Sequence, residues 1–168
     1  MSKNTAIYAG SFDPPTKGHI WMIERGSAIF DKLIVAIGTN PDKHCVFTAA
    51  ERLEMLYFST KELKNVSIKS FPFQYLVNFA KSEEAQFILR GIRSPEDYGK
   101  EKDMRNVNED LDPSITTAFL MPPRELAEIS SSMVKGLVGP KGWEKVVSRY
   151  VSQPVLKKLE ALHHSQTQ

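Results

Sequence analysis

Residues 5–10 read Thr-Ala-Ile-Tyr-Ala-Gly and lead into residues 11–19, which read Ser-Phe-Asp-Pro-Pro-Thr-Lys-Gly-His. The first stretch is short, apolar and ended by a glycine, which predicts a β-strand over residues 5–9 followed by a loop. Apolar residues at helical spacing over residues 22–30 predict a helix. Residues 33–37 are a continuous apolar run before another glycine, which is typical of a strand buried on both faces of a parallel sheet.

The rest of the chain continues this alternation of strands and helices. Thr48 and Glu51 have the spacing of a capping box, which predicts the start of a second helix. Further strands are predicted over residues 66–71, 87–89 and 115–121, and further helices over residues 74–81, over residues 95–111 and from about Ser130 onward, with Pro154 in the first turn of the last one. The alternation predicts an α/β fold: a five-stranded parallel sheet with helices on both faces, C-terminal helices and a single domain over residues 1–168.

The apolar spacing also predicts which side of each helix is buried. On the second helix it selects Leu53, Leu56, Tyr57 and Thr60. On the helix over residues 95–111, which is otherwise polar, it aligns Met104, Val107 and Leu111, and on the last helix it selects Val155, Leu156, Leu159 and Leu162.

Composition excludes several classes of protein. The 168 residues include 22 Lys and Arg against 20 Asp and Glu, a net charge of +2, which argues against a polybasic nucleic-acid binder. Cys45 is the single cysteine, so neither an intrachain disulfide nor a zinc site built on paired cysteines can form. The sequence shows no signal peptide and no apolar stretch long enough to cross a bilayer, so we expect a cytoplasmic protein without a membrane partner.

The first of the unusual loops follows the first strand. Parallel sheets bind ligands at the carboxyl ends of their strands, so these loops are where a site is expected. Thr16 and His19 lie three residues apart at the predicted start of a helix, where backbone N–H groups and the helix dipole attract phosphate. The loop is neither a Walker loop nor a dinucleotide fingerprint. The alternative is an ordinary turn with a capping threonine and a surface histidine.

Three other loops add cationic and hydroxyl groups at the same edge. Lys43 follows the second strand, and Arg90 and Arg93 surround the end of the fourth, where two guanidinium forks suit a polyanion. Residues 128–132 read Glu-Ile-Ser-Ser-Ser, and three hydroxyls before a helix can form a phosphate cradle. The alternatives are a solvated lysine, surface salt bridges and a serine-rich loop. Taken together, these groups predict a ligand with several phosphates.

The motifs resemble a known family. Gly-Ser-Phe-Asp-Pro at residues 10–14, Thr-Lys-Gly-His at residues 16–19 and Ile-Ser-Ser-Ser at residues 129–132 resemble the nucleotidyltransferase superfamily. Threonine at position 16, together with Lys43 and the Arg-Gly-Ile-Arg segment, resembles the bacterial phosphopantetheine adenylyltransferases over nearly the whole chain. The resemblance implies a Rossmann-like fold, a homohexamer and transfer of AMP from ATP to 4′-phosphopantetheine. The products would be dephospho-coenzyme A and pyrophosphate, in the penultimate step of coenzyme A biosynthesis.

The resemblance also implies Mg²⁺, held mainly by ATP phosphates and water, and feedback inhibition by coenzyme A. Carried over by motif, the catalytic residues would be His19, Lys43 and Arg93, and phosphopantetheine would contact Ser11, Lys43, Leu76 and Arg90. ATP would contact Ser11, Phe12, His19, Gly91, Ile92, Arg93, Glu101, Leu126, Ala127, Glu128, Ile129, Ser130, Ser131 and Ser132. Several positions depart from the family pattern. Ala9, Pro15 and Lys17, which flank the site, differ from the commonest family residues, the surroundings of Glu101 differ, and Leu126 stands where an aromatic residue is frequent.

Other functions remain open from the sequence. A nicotinate-mononucleotide adenylyltransferase is favoured slightly by Asp13-Pro-Pro, whereas Thr16 and the two arginines argue against it. A cytidylyltransferase for glycerol phosphate is expected to carry histidine at position 16. A non-catalytic nucleotide-binding regulator could use the same fold, although His19, Lys43 and the arginines together argue for catalysis.

Overall fold

Five parallel strands form the centre of the computed structural model, which describes residues 4–39 and 44–166. They are β1 (Thr5–Gly10), β2 (Lys32–Gly38), β3 (Val66–Phe71), β4 (Phe87–Gly91) and β5 (Thr116–Leu120), in the spatial order β3-β2-β1-β4-β5. Every pairing in the sheet is parallel. The predicted α/β fold is confirmed.

The described residues form eight helices around this sheet. They are α1 (Lys17–Ile29), α2 (Ala49–Thr60), α3 (Leu76–Ser82), α4 (Pro95–Leu111), α5 (Arg124–Ala127), α6 (Ser131–Gly136), α7 (Trp143–Val147) and α8 (Gln153–Gln166). No helix in this part of the chain is long and apolar enough to cross a membrane.

The sheet has a topological switch point between β1 and β4. The chain adds β2 and β3 on one side of β1 and then returns to add β4 and β5 on its other side. Tyr8 of β1 pairs with Leu89 of β4 at this point. Open parallel sheets have a crevice at such a switch point, outside the carboxyl ends of the strands. The fold therefore puts the loops that follow β1 and β4 on either side of one crevice.

Apolar clusters cover both faces of the sheet. On one face α1 and α2 pack through residues such as Met22, Ile23 and Leu56, and on the other α3 packs through Val77 and Phe79. Helix α1 approaches the sheet closely at Gly26, where an added Cβ would lie 2.8 Å from a methyl carbon of Leu89. A side chain at that position would require the buried Leu89 and Leu33 side chains, or the helix itself, to shift.

A third cluster holds the C-terminal helices against the body of the protein. Val155, Leu156 and Leu159 of α8 are buried with Trp143 and Phe47, and Leu162 is partly buried beside them. The predicted apolar stripe of the last helix therefore docks on the protein's own core.

The predicted face of α2 is wrong at one residue, and that of α4 is wrong throughout. On α2, Leu56 and Thr60 are buried and Leu53 is partly buried, as predicted, whereas Tyr57 is not. Tyr57 is 59% exposed, because α2 turns Arg52, Met55 and Leu56 inward and the next residue lies about 100° further round the helix. On α4, the aligned residues Met104, Val107 and Leu111 are about half exposed, and Asn108 is the buried residue of that helix. Apolar spacing identifies an apolar side of a helix but does not show that the sheet lies against it.

Candidate active site

A cavity of about 500 Å³ opens at the carboxyl edge of the sheet. Loops after all five strands and the first turns of α1 and α4 contribute to its walls. Eight of the predicted site residues line it: Ser11, His19, Arg90, Gly91, Arg93, Glu101, Leu126 and Ile129. The structure thus brings together groups that lie more than 100 residues apart in the sequence.

The other predicted residues do not line this cavity. Among those that the structure describes, they are Phe12, Leu76, Ile92, Ala127, Glu128, Ser130, Ser131 and Ser132. Phe12 is buried and packs edge-on against the His19 ring, with 5.1 Å between ring centroids. Lys43, predicted to be both catalytic and substrate-binding, lies outside the described residues.

His19 is fixed by a capping box at the start of α1. The Thr16 backbone N–H donates to its Nδ1 at 3.0 Å, and the His19 backbone N–H donates to the Thr16 hydroxyl at 3.4 Å. Because Nδ1 accepts a backbone N–H, the neutral ring must carry its proton on Nε2. The local sequence thus sets both the orientation and the tautomer of this histidine.

The surroundings of His19 keep its ring neutral. Burial, reinforced by the positive charge of Arg93, lowers the pKa of His19 from 6.5 to about 4. At neutral pH the ring is therefore a neutral donor through Nε2, and Nδ1 remains an acceptor for the cap.

Arg90 is held rigidly in the wall of the cavity. Its Nε and Nη2 donate to the two carboxylate oxygens of Glu101 at 2.7 and 2.6 Å, and Nη1 donates to the Ala9 carbonyl at 3.1 Å. Burial lowers the pKa of Arg90, but the Glu101 carboxylate outweighs that effect, so its pKa lies above the usual value. Glu101, predicted to contact ATP, therefore positions Arg90, and the sequence prediction did not anticipate this pairing.

Arg93 lies at the exposed rim of the cavity. Its Nε donates to the Asp97 carboxylate at 2.8 Å. Asp97 is itself held at the start of α4, because its backbone N–H donates to the Ser94 hydroxyl at 3.2 Å. Both arginines are thus ion-paired in this structure, as the alternative interpretation of surface salt bridges expected. The rim pair is readily exchanged for a phosphate contact, since exposed ion pairs contribute little stability.

The serine segment has structural partners. Ser130 caps α6 by accepting the Met133 backbone N–H at 3.1 Å, and the Ser131 hydroxyl donates to the Pro14 carbonyl at 2.8 Å. The segment also approaches α1 closely, since a Cβ on Gly18 would lie 3.2 Å from the Leu126 carbonyl oxygen. The motifs around residues 16–19 and 129–132 are therefore neighbours, as the sequence predicted.

Asp13 joins three segments around the site, a role that its position in the sequence did not predict. Its carboxylate accepts the backbone N–H groups of Val46 and Phe47 at 3.0 and 2.9 Å and the Lys135 ammonium at 3.0 Å. Burial raises the pKa of Asp13, but these donors outweigh burial and hold it below its usual range. The buried Arg52 adds a second link by donating to the Ser11 carbonyl at 2.7 Å.

The sequence carries weak signals for this network. Asp13 lies in the motif that carries the resemblance, but Lys135 and Arg52 occupy ordinary helical positions. Other cavity residues that the sequence did not predict include Tyr8, Ala9, Met22, Gly38, Thr39, Phe71, Pro72, Phe73, Gln74, Asp97 and Pro122. In the described residues no group of three or more His, Cys, Asp or Glu could hold a metal ion.

Comparison with known proteins identifies the family. The sequence model of the Cytidylyltransferase-like family matches residues 7–137. The phosphopantetheine adenylyltransferase of Neisseria meningitidis serogroup C is 56% identical over 158 residues, covering 94% of this chain and 93% of that protein. The chain belongs to the phosphopantetheine adenylyltransferases of the Cytidylyltransferase-like family. Another member of this family, from Chromobacterium violaceum, is 52% identical over 96% of this chain and 98% of its own.

A solved structure supports the fold assignment. The nicotinic acid mononucleotide adenylyltransferase of Plasmodium falciparum, complexed with APC, superposes with a TM-score of 0.71, and the match covers 94% of each chain. At 16% identity this likeness shows the Rossmann-like fold that the family shares. The specific family assignment comes from the close sequence relatives.

Proposed function

We propose that this protein transfers the adenylyl group of ATP to 4′-phosphopantetheine, releasing pyrophosphate and forming dephospho-coenzyme A. The observation that carries the proposal is the position of His19, a neutral donor of fixed tautomer in a cavity that also contains Arg90 and Arg93. The relatives named phosphopantetheine adenylyltransferase support the choice of acceptor. In coenzyme A biosynthesis this is the penultimate step.

The reaction needs little acid–base chemistry from the protein. A phosphate monoester has a second pKa near about 6, so the attacking phosphate of phosphopantetheine is already mostly ionised at neutral pH. One of its oxygens forms a bond to the α-phosphorus of ATP, and the bond from that phosphorus to the β-phosphate oxygen breaks. The protein has to align two polyanions and neutralise the charge that develops on the α-phosphoryl oxygens.

The residues of the cavity suit these tasks. In the proposed arrangement His19 donates from Nε2 to an α-phosphoryl oxygen, which is a form of transition-state stabilisation. Arg90 and Lys43 hold the attacking phosphate, and Arg93 with the segment 126–132 holds the leaving pyrophosphate. Glu101 acts through Arg90 by fixing its guanidinium. With one Nη1 hydrogen donated to the Ala9 carbonyl, one N–H on each of Nη1 and Nη2 remains available to a ligand.

We also propose that Mg²⁺ assists the reaction. The carboxylates in the cavity wall, Asp97 and Glu101, are each engaged by an arginine, so the donors suited to this ion are the ATP phosphates and water. When bound there, Mg²⁺ would neutralise part of the triphosphate charge. The residues near it would then act on phosphate oxygens and not on the metal.

Assembly and regulation complete the proposal. We propose a homohexamer acting in the cytoplasm, with coenzyme A as feedback inhibitor because it contains the same phosphopantetheine unit as the acceptor. The exposed apolar residues Met104, Val107 and Leu111 of α4 offer a surface for such an assembly. Light scattering coupled to size-exclusion chromatography tests the hexamer, and a titration of coenzyme A into the assay tests the inhibition.

The decisive experiment is pyrophosphate release with a panel of acceptors. ATP and Mg²⁺ are combined with 4′-phosphopantetheine or nicotinate mononucleotide, and CTP with glycerol 3-phosphate. We expect turnover with phosphopantetheine alone. Turnover with another acceptor would retain the fold and His19 chemistry but reject the proposed roles of Lys43 and Arg90. ATP binding without any turnover would instead favour a non-catalytic nucleotide-binding regulator.

A further inference from the structure

Tyr8 has a buried side chain whose hydroxyl has no hydrogen-bond partner among the residues that the structure describes. The residue lies in the central strand β1, is 7% exposed and lines the cavity. Its ring packs edge-on against Phe12, with 5.5 Å between centroids. Within the described residues no group hydrogen-bonds its hydroxyl. The hydroxyl oxygen keeps some accessible surface, and because Tyr8 lines the cavity we infer that this surface faces the cavity.

The charges near Tyr8 are those of the anion-binding groups. Burial raises the pKa of Tyr8 above its usual range, and the charges of Arg90, Arg93 and Glu101 also act on its hydroxyl. The hydroxyl is therefore a neutral O–H donor at every working pH. The strand register explains its place, because Tyr8 pairs with Leu89, the residue before Arg90.

Phenylalanine would satisfy every contact that this structure shows for Tyr8. The ring contributes to the apolar cluster under α1, and the hydroxyl adds nothing to that packing. A buried hydroxyl without a partner is unfavourable, whereas a hydroxyl in the same cavity as two guanidinium groups can donate to an anion that they bind. In the described part of the chain this donor has no acceptor, and a bound phosphate would supply one.

We propose that the Tyr8 hydroxyl donates a hydrogen bond to a phosphate oxygen of the substrates bound at Arg90 and Arg93. Tyr8 is thus a substrate-binding residue that none of the motifs contains. The identity of the phosphate rests on the proposed function: it belongs either to the triphosphate of ATP or to phosphopantetheine. The chemistry, a neutral donor beside two cations, is the same in both cases.

The test is Tyr8→Phe, which removes only the oxygen. We expect kcat/KM to fall about tenfold or more, the range for losing a hydrogen bond to a charged group. We expect an unchanged or slightly raised Tm, because no hydrogen bond within the protein is lost. A higher KM for ATP with weaker pyrophosphate binding by calorimetry would assign the contact to the triphosphate. A higher KM for phosphopantetheine would assign it to the acceptor.

Tyr57→Phe is the matched control, because Tyr57 is exposed on α2 and does not line the cavity. It should leave both kinetics and pyrophosphate binding unchanged. Unchanged kinetics and binding in Tyr8→Phe would overturn the proposal, and so would an activity loss accompanied by a comparable loss of folded protein. If the wild type does not turn over phosphopantetheine, the proposed function fails, and calorimetric binding of both pyrophosphate and inorganic phosphate by the two variants still decides whether the Tyr8 hydroxyl binds a phosphate.

Discussion

Helices α1 and α2 begin with the same capping box but differ in the residue that closes it. At α1, Thr16 and His19 exchange hydrogen bonds of 3.0 and 3.4 Å; at α2, Thr48 and Glu51 do so at 2.9 and 3.3 Å. The first box lies in the cavity wall, and the second faces solvent. Both satisfy backbone donors at a helix start, so the cap alone does not require a histidine.

The difference lies in what remains after the cap is made. The Glu51 carboxylate also accepts the Thr48 hydroxyl at 2.7 Å, and hydrogen bonds from Thr48 lower the pKa of Glu51. The imidazole of His19 uses only Nδ1 in its box and keeps the Nε2 proton for a ligand. Both printed bonds to Glu51 use Oε2, so this carboxylate also keeps an oxygen, but that oxygen is an anionic acceptor. A capping position can therefore bind an anion when its side chain keeps an N–H donor after the cap is made.

His19→Ala should have the largest effect, because it removes both the helix-cap acceptor at Nδ1 and the proposed ligand donor at Nε2. We expect kcat to fall by two to three orders of magnitude, because losing one transition-state donor costs about 2.7–4 kcal/mol. The fold should survive with a small loss of stability from the missing cap acceptor. Steady-state kinetics with ATP and phosphopantetheine, together with thermal unfolding, measure both effects. An unchanged kcat would refute the assignment of His19.

The pH dependence of stability should also distinguish the boxes. The folded pKa of His19, about 4, lies below the ordinary value of 6.5, so in acid the unfolded chain binds this proton first. The contribution of neutral His19 to the free energy of unfolding is therefore complete above pH 6.5. It declines as the pH falls toward 4, by at most about 1.4 kcal/mol per pH unit. Denaturant unfolding between these limits should show a shallower decline for His19→Asn than for the wild type.

Glu51→Gln is the control for that experiment. The pKa of Glu51 is lowered from 4.5, so its contribution is lost only below that value. The variant should keep the wild-type slope of stability against pH down to about pH 5. Equal slopes for His19→Asn and the wild type would show that His19 does not titrate as the structure indicates.

Thr16→Ala should weaken the first box without destroying its chemistry. The backbone N–H that holds Nδ1 remains, whereas the hydroxyl that accepts the His19 N–H is lost. We expect a loss of about 1–2 kcal/mol in stability, as for other N-cap threonines, and a decrease in kcat smaller than that of His19→Ala. A decrease as large as in His19→Ala would mean that the hydroxyl itself acts on the substrate.

Glu51→Ala should have the smallest effect. The second box lies outside the cavity, so kcat and KM should stay at wild-type values. Stability should decrease by about 0.5–1 kcal/mol, because one backbone donor loses its acceptor. Chemical denaturation beside the kinetic assay checks this, and a changed kcat would show that α2 is coupled to the site.

The fold could be predicted because its signals are local. The residues of β2 from Leu33 to Ile37 have no exposed surface. Their uninterrupted apolar run predicted a strand buried on both faces. The Thr48–Glu51 box gave the start of α2 for the same reason: cap partners are close in sequence. The edge of the sheet at which the site lies followed from the parallel order of the strands.

Pairings across long sequence distances could not be predicted. Nothing near Asp13 indicates that Lys135 is its partner, and nothing near Arg90 selects Glu101 over other carboxylates of α4. The hydroxyl of Tyr8 was missed for a related reason, since tyrosine in a buried strand resembles any aromatic core residue. Such contacts depend on the relative placement of whole elements, which residue types and spacing do not encode.

The three hydrogen bonds that Asp13 accepts have a consequence for motion. They tie the loop after β1, the backbone at Val46 and Phe47, and helix α6 to one carboxylate. The amide protons of Val46 and Phe47 can therefore exchange with solvent only when this junction opens. Their exchange rates therefore measure, in solution and without an added label, how often these three segments separate from one another.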